Sequence, residues 1–295
     1  MLCDGDANVR SPREGAFFVL SFRGGPKDRT RNLEIPGSML AHRPGMTANG
    51  LLLARAADKM PVSKKTPSEE TMGTLITFKR PDGKEASGYL ANAARGDAPG
   101  VVVIQEWWGL QDQIKGMCDR FARAGFDALA PDLYKGKVVP YHDTDAAGKE
   151  MNSLDFMDLT TQTVRGAAQY LARNGAKVGL TGFCLGGAVT IIGATKIPEL
   201  AAGVVFYGIP PEQAAKPSDV RIPLQAHFAN KDDWCTPQAV DAFEKAMKAA
   251  GKPLEIYRYN AEHGFANEQR LSVHDRQSAE LAWGRATEYF RKHLG

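Results

Sequence analysis

The segment Gly182-Phe183-Cys184-Leu185-Gly186-Gly187 follows directly on the apolar run Lys177-Val178-Gly179-Leu180-Thr181 and constrains the fold more than any other stretch. The run reads as a buried strand and the residues from Leu185 as a helix, so Cys184 stands on a tight strand-to-helix turn. So sharp a turn strains the backbone of its central residue, and side chains two positions before and after it would collide. Glycines at 182 and 186 remove both collisions. The helix starting at Leu185 directs free N–H groups and the positive end of its dipole at the sulfur, an arrangement suited to a nucleophile and to an oxyanion formed beside it. The alternative is an inert buried cysteine in a Gly-rich turn. A nucleotide-binding reading fails on order: Gly182-x-x-x-Gly186-Gly187 is not G-x-G-x-x-G, and no P-loop Lys-Ser/Thr pair follows.

Around this turn the chain alternates strand-like and helical segments. Leu75-to-Arg80 and Ala86-to-Leu90, bridged by Pro81-Asp82-Gly83-Lys84, predict an antiparallel hairpin at a sheet edge. Continuous apolar strands follow at Val101–Glu106, Phe126–Pro131, Ala201–Tyr207, Ile222–Asn230 and Leu254–Tyr259. Helices are expected over 113–124, within 154–173, over 185–194, over 237–250 and at the C-terminus, where Ala279, Ala282, Trp283, Ala286 and Phe290 share one face. Apolar strands alternating with helices predict an α/β fold, a mostly parallel sheet covered on both faces, with its site at the C-terminal strand ends.

Four residues fall at those ends. Glu106 closes the Val101 strand beside Trp107 and Trp108, a costly place for a carboxylate unless something uses it or it caps the next helix. Cys184 is the second. Asp233 sits on the loop between the Ile222 strand and the helix capped by Thr236 and Pro237; it is favoured as the acid, with Asp232 as the candidate that could exchange roles with it. His263, on the loop after the Leu254 strand, reads as the base that Asp233 would orient, the alternative being a solvated loop histidine. The backbone N–H groups of Leu185 and Trp107 are the candidate oxyanion donors. Trp108, Tyr134, Phe183 and Phe265 are candidates to line an apolar pocket, each equally a core position.

Gln105-Glu106, Gly182-Phe183-Cys184-Leu185-Gly186-Gly187, Asp233-x-x-x-Pro237 and His263-Gly264-Phe265, together with Asp132-Leu133-Tyr134, resemble the dienelactone hydrolase (carboxymethylenebutenolidase) family over roughly residues 72 to 294. The resemblance implies an α/β-hydrolase fold, in which nucleophile, acid and histidine follow in that chain order. It also implies a Cys-His-Asp hydrolase of small esters or lactones needing no cofactor or metal. In that family the glutamate matching Glu106 takes the thiol proton when substrate binds, which fits a thiol whose ordinary pKa of about 8.5 leaves it mostly protonated at neutral pH. Two features depart from the archetype, whose arginines hold a substrate carboxylate. Asn267 stands a few residues beyond His263, and the segment from Lys135 to Met151 carries lysines and no arginine. Arg270 and Lys149 do not match by spacing. The competing function is a non-catalytic or redox-sensing protein of the same fold, with Cys184 as a reversibly oxidised or merely packed thiol.

The 295 residues, 43% hydrophobic and 24% charged, suit one globular domain with an appendage. A net charge of +3 without basic runs argues against nucleic acid as a partner, and no stretch approaches the about 18 apolar residues of a membrane span. Cysteines at 3, 118, 184 and 235 show no paired spacing, which points to free thiols and a reducing, cytoplasmic setting. Separately, a monomer or weak homodimer is expected. The six histidines form no ligand-spaced cluster, so no metal is expected. Residues 1–71 lack sustained periodicity and end in the linker-like Pro61-to-Glu70. They are expected to be a disordered extension or an upstream stretch added by a misplaced start, with the catalytic domain spanning 72–295.

Overall fold

A computed structural model describes residues 73–295; the expectations for residues 1–71 lie outside them. Eight strands form one sheet in the order β1-β2-β4-β3-β5-β6-β7-β8. The strands are β1 (Thr74–Lys79), β2 (Glu85–Ala91), β3 (Gly100–Ile104), β4 (Asp127–Pro131), β5 (Val178–Phe183), β6 (Leu200–Phe206), β7 (Leu224–Lys231) and β8 (Leu254–Glu262). The hairpin is where the turn signature puts it: β1 pairs antiparallel with β2, and β2 antiparallel with β4. From β4 to β8 every pairing is parallel. The parallel strands read as unbroken apolar runs because both faces are covered, and β3 and β5 are buried along their whole length.

The helices are α1 (Asp112–Arg123), α2 (Thr144–Asn152), α3 (Phe156–Asp158), α4 (Arg165–Leu171), α5 (Leu185–Lys196), α6 (Pro237–Ala249) and α7 (Arg276–Leu294), with a wide π-type turn over Leu159–Val164 joining α3 to α4. Strand alternation separates the two layers. Gly179 of β5 packs against Phe290 and Leu294 of α7, while its neighbour Leu180 points at Gly193 of α5 on the opposite face. Phe121 of α1 meets Trp283 and Phe290 of α7 at ring-centre distances of 4.6 and 5.9 Å, which joins those two helices into one layer. Helix α5 is buried from Leu185 to Thr195 and has no polar face, as expected for a helix pressed between the sheet and its neighbours. The single helical segment expected within 154–173 is broken into three pieces, and α2 was not legible as a helix at all, since Thr144–Asn152 carries only Ala147 and Met151 on its buried side.

Among the described residues no helix is long and apolar enough to cross a membrane, and no group of three or more His, Cys, Asp or Glu is placed to hold a metal ion.

Candidate active site

At the elbow, Cys184 has φ 56° and ψ −114°, the left-handed strain that the Gly-x-Cys-x-Gly spacing predicts. A side-chain carbon on Gly186 would lie 2.5 Å from the Ile104 carbonyl oxygen, and one on Gly182 would meet the Gly186 backbone, so neither position admits a larger residue. The Cys184 N–H donates to Phe206 O at 3.0 Å, tying the turn to β6, and its carbonyl accepts from Gly187 N at 2.9 Å as α5 begins. Leu185, the first residue of α5, belongs to the helical turn whose N–H groups have no partner within the helix. The thiol is buried, as are those of Cys118 and Cys235, and all three are free.

His263 follows β8, and its Nδ1 lies 2.7 Å from Asp232 Oδ2. This corrects the expectation for Asp233. Asp232 is 3% exposed and its other oxygen accepts from the N–H groups of Trp234 and Cys235 at 2.7 and 2.9 Å, whereas Asp233 is exposed. Strand β7 runs to Lys231, so the loop begins at Asp232, and that turn directs the Asp232 carboxylate inward and Asp233 to solvent. On the other side of the ring, His263 Nε2 is buried and makes no hydrogen bond of full geometry. Burial alone would lower the His263 pKa; the electrostatic influence of Cys184 and of Asp232 outweighs it and raises the pKa to about 10.

Glu106, two residues beyond β3, is 3% exposed and fully engaged. Its Oε1 accepts from the Tyr207 hydroxyl at 3.1 Å and its Oε2 from Asn267 Nδ2 at 2.8 Å. Neither pairing was readable from the sequence, because the partners lie 101 and 161 residues away in the chain. Asn267 carried a weak signal, as the residue standing where a cation would be expected, and it is occupied with Glu106.

Aromatic rings wall the site. Trp107 packs edge-on against Trp234 at 4.7 Å, and Trp234 lies 5.3 Å from the His263 ring. Trp108 contacts Trp107 at 4.9 Å and Tyr141 at 5.5 Å, with the Arg270 guanidinium 5.5 Å from the Trp108 ring centre. The Tyr134 hydroxyl donates to the Trp107 carbonyl at 2.9 Å, tying down the loop that follows β3. Burial, followed by the charge of Cys184, pushes the Tyr134 pKa well above its ordinary value. Phe183 and Phe265, candidates equally for the pocket and for the core, are both fully buried. Phe183 stacks on Phe206 at 4.6 Å, and Phe265 packs between Tyr207 and Tyr259 at 5.3 and 5.0 Å.

A cysteine on a strained strand-to-helix turn, with a His-Asp pair at the C-terminal rim of a mostly parallel eight-stranded sheet, defines the class: an α/β-hydrolase-fold carboxylic ester hydrolase. The comparisons narrow it. The family model described as the dienelactone hydrolase family matches residues 86–294, and the chain belongs to that family. Protein usf of Aquifex pyrophilus is 35% identical over 234 residues, covering 76% of this chain and 100% of the relative. A provisionally named carboxymethylenebutenolidase of Aquifex aeolicus is 32% identical over the same shares of both chains. Among solved structures, a provisionally named dienelactone hydrolase from Klebsiella pneumoniae subsp. pneumoniae superposes with a TM-score of 0.67 at 27% identity, over 75% of this chain and 99% of that one.

Proposed function

We propose that the protein hydrolyses small ester or lactone substrates through a covalent thioester on Cys184, with His263 as its acid and base and Asp232 as the residue that orients His263. The observation that carries this reading is the His263 ring itself. It is bound to a carboxylate through Nδ1, open at Nε2 and within electrostatic reach of a cysteine on a strained elbow. The thiolate attacks the substrate carbonyl, and the oxyanion accepts hydrogen bonds from the N–H groups of Leu185 and Trp107. Collapse of this intermediate breaks the ester C–O bond, with His263 Nε2–H protonating the departing alkoxide. Water then attacks the thioester while His263 takes one of its protons; the C–S bond breaks, the Cys184 thiolate is regenerated, and the carboxylic acid leaves and loses its proton to solvent. Glu106 receives the thiol proton where the resting form is protonated.

Hydrolysis of p-nitrophenyl acetate by the wild type and by Cys184→Ala, side by side, tests the reading. Turnover in the wild type that the alanine abolishes is the expected result. Equal rates, or none in either protein, would overturn it.

A further inference from the structure

Tyr207 has no part in the chemistry described so far, yet its backbone and side chain are both unusual. It follows β6 with φ at 38°, a left-handed conformation that costs a non-glycine residue free energy and persists where the surroundings demand it. Its side chain is fully buried. Its N–H donates to the His227 carbonyl at 2.9 Å, and its ring stands edge-on to the His263 ring at 5.1 Å. From this strained base the hydroxyl spans from the end of β6 to the end of β3 and donates to Glu106 Oε1 at 3.1 Å.

We propose that Tyr207 is a positioning residue for Glu106: its hydroxyl fixes the carboxylate, with Asn267 holding the second oxygen, so that Glu106 is set for proton transfer with Cys184. The proposal rests on the role given to Glu106 above. Burial first, and then the Glu106 charge, keep the phenol protonated far above its ordinary range, so it acts as a donor throughout the working pH range. Both donors on Glu106 are neutral. Each stabilises the anion through a charge-assisted hydrogen bond and adds no positive charge of its own. The other titratable groups around this pair are Cys184 on the elbow, His263 after β8, Arg270 and Glu268 on the loop that follows, and Tyr141 on the loop after β4. Tyr207→Phe leaves all of them in place and removes one oxygen, so the change in pH dependence isolates the hydrogen bond. Losing a donor weakens the hold on the anion, so the acid limb of any Glu106-dependent profile moves to higher pH.

Tyr207→Phe, Glu106→Gln and the double variant are compared in two ways. One is kcat/KM for p-nitrophenyl acetate against pH. The other is the iodoacetamide alkylation rate of the Cys184 peptide against pH, followed by mass spectrometry, which needs no turnover. Tyr207→Phe is expected to lower kcat about tenfold with KM little changed, and to move the acid limb of both profiles up by about one pH unit. In the Glu106→Gln background it is expected to do nothing further. Asn267→Ala removes the opposite donor and shifts the limb in the same direction. Profiles of Tyr207→Phe that superimpose on the wild type, or effects that multiply with Glu106→Gln, would overturn the proposal. A wild type that turns over no ester would sink the hydrolase reading, and the alkylation profiles would still decide the role of Tyr207.

Discussion

His227 on β7 and His263 just past β8 are both enclosed, yet their surroundings push them in opposite directions. On β7, His227 has both nitrogens engaged by neutral groups: Nε2 with Gln225 Oε1 at 2.9 Å and Nδ1 with the Tyr259 hydroxyl at 2.8 Å. Phe206 and Tyr257 sandwich the ring at 4.7 and 5.5 Å. Burial, reinforced by the Arg285 guanidinium that donates to Tyr259, lowers the His227 pKa to about 3, so the ring is neutral at physiological pH. His263, past the end of β8, exchanges neutral partners for the Asp232 carboxylate and the elbow cysteine and rises to about 10. Burial acts on both rings in the same sense. The charge of the neighbours separates them, and so does the number of open nitrogens: none in the interior, one at the strand ends. A histidine saturated by neutral groups is a structural part, and one held at a single nitrogen by an anion is equipped to move protons.

Making the second environment resemble the first gives the largest expected effect. Asp232→Asn keeps the shape and replaces the anion by an amide that favours the wrong tautomer. The expected loss is about 10³- to 10⁴-fold in kcat with KM little changed, measured by steady-state hydrolysis of p-nitrophenyl acetate. A loss below tenfold would mean that the His263–Asp232 pair is not the working one.

The two rings also predict opposite pH dependences of stability. For His227 the folded pKa lies below the unfolded one, so the unfolded chain binds the extra proton between about pH 6.5 and 3 and stability falls as the pH is lowered through that window. Each pH unit corresponds to about 1.4 kcal/mol at most. His227→Gln should cost about 1–3 kcal/mol at pH 7 and flatten the loss of stability towards low pH, read by urea denaturation at pH 7 and 5. An equally steep acid loss in the variant would mean that the ring is not the group responsible. For His263 the folded pKa is the higher one, so its contribution is complete below about pH 6.5 and is lost as the pH rises towards 10. Cys184→Ala removes the first of the charges that raise it and should shrink the fall in stability between pH 7 and 9.5, by about 1 kcal/mol on the same denaturation scale. An unchanged slope would argue that no thiolate stands beside the ring.

The contrast between the two histidines also marks what was legible in the chain. Parallel strands covered on both faces leave a long apolar signature, and an elbow that cannot hold a side-chain carbon at 182 or 186 leaves glycines at fixed spacing, so sheet, turn and rim could be read from residue types alone. Tyr207 and Asn267 left no such mark, because what defines them is a meeting with Glu106 across more than 100 residues. Helix α2 and the π-type turn were hidden for another reason: short, mostly exposed or irregular segments carry no sustained period for a pattern to register.

The adjacent aspartates give the smallest expected effect and the finest test. Both lie on the right loop, and a carboxylate three or four residues before the Thr236 helix cap satisfies the sequence pattern at either position. What decides between them is the residue at which β7 ends, a boundary that pattern reading locates only to within a few residues. With β7 ending at Lys231, Asp232 is the first loop residue and its carboxylate is drawn inward by the Trp234 and Cys235 N–H groups, which leaves Asp233 in solvent. Asp233→Asn should therefore change kcat/KM by less than about twofold and unfolding free energy by less than about 0.5 kcal/mol, against the thousandfold or greater effect of the same substitution one residue earlier. Measured together, the two variants decide the register of this loop. Comparable losses would mean that the turn exchanges its two carboxylates in solution, whereas a loss confined to position 232 would fix the acid to the one residue already bonded to His263.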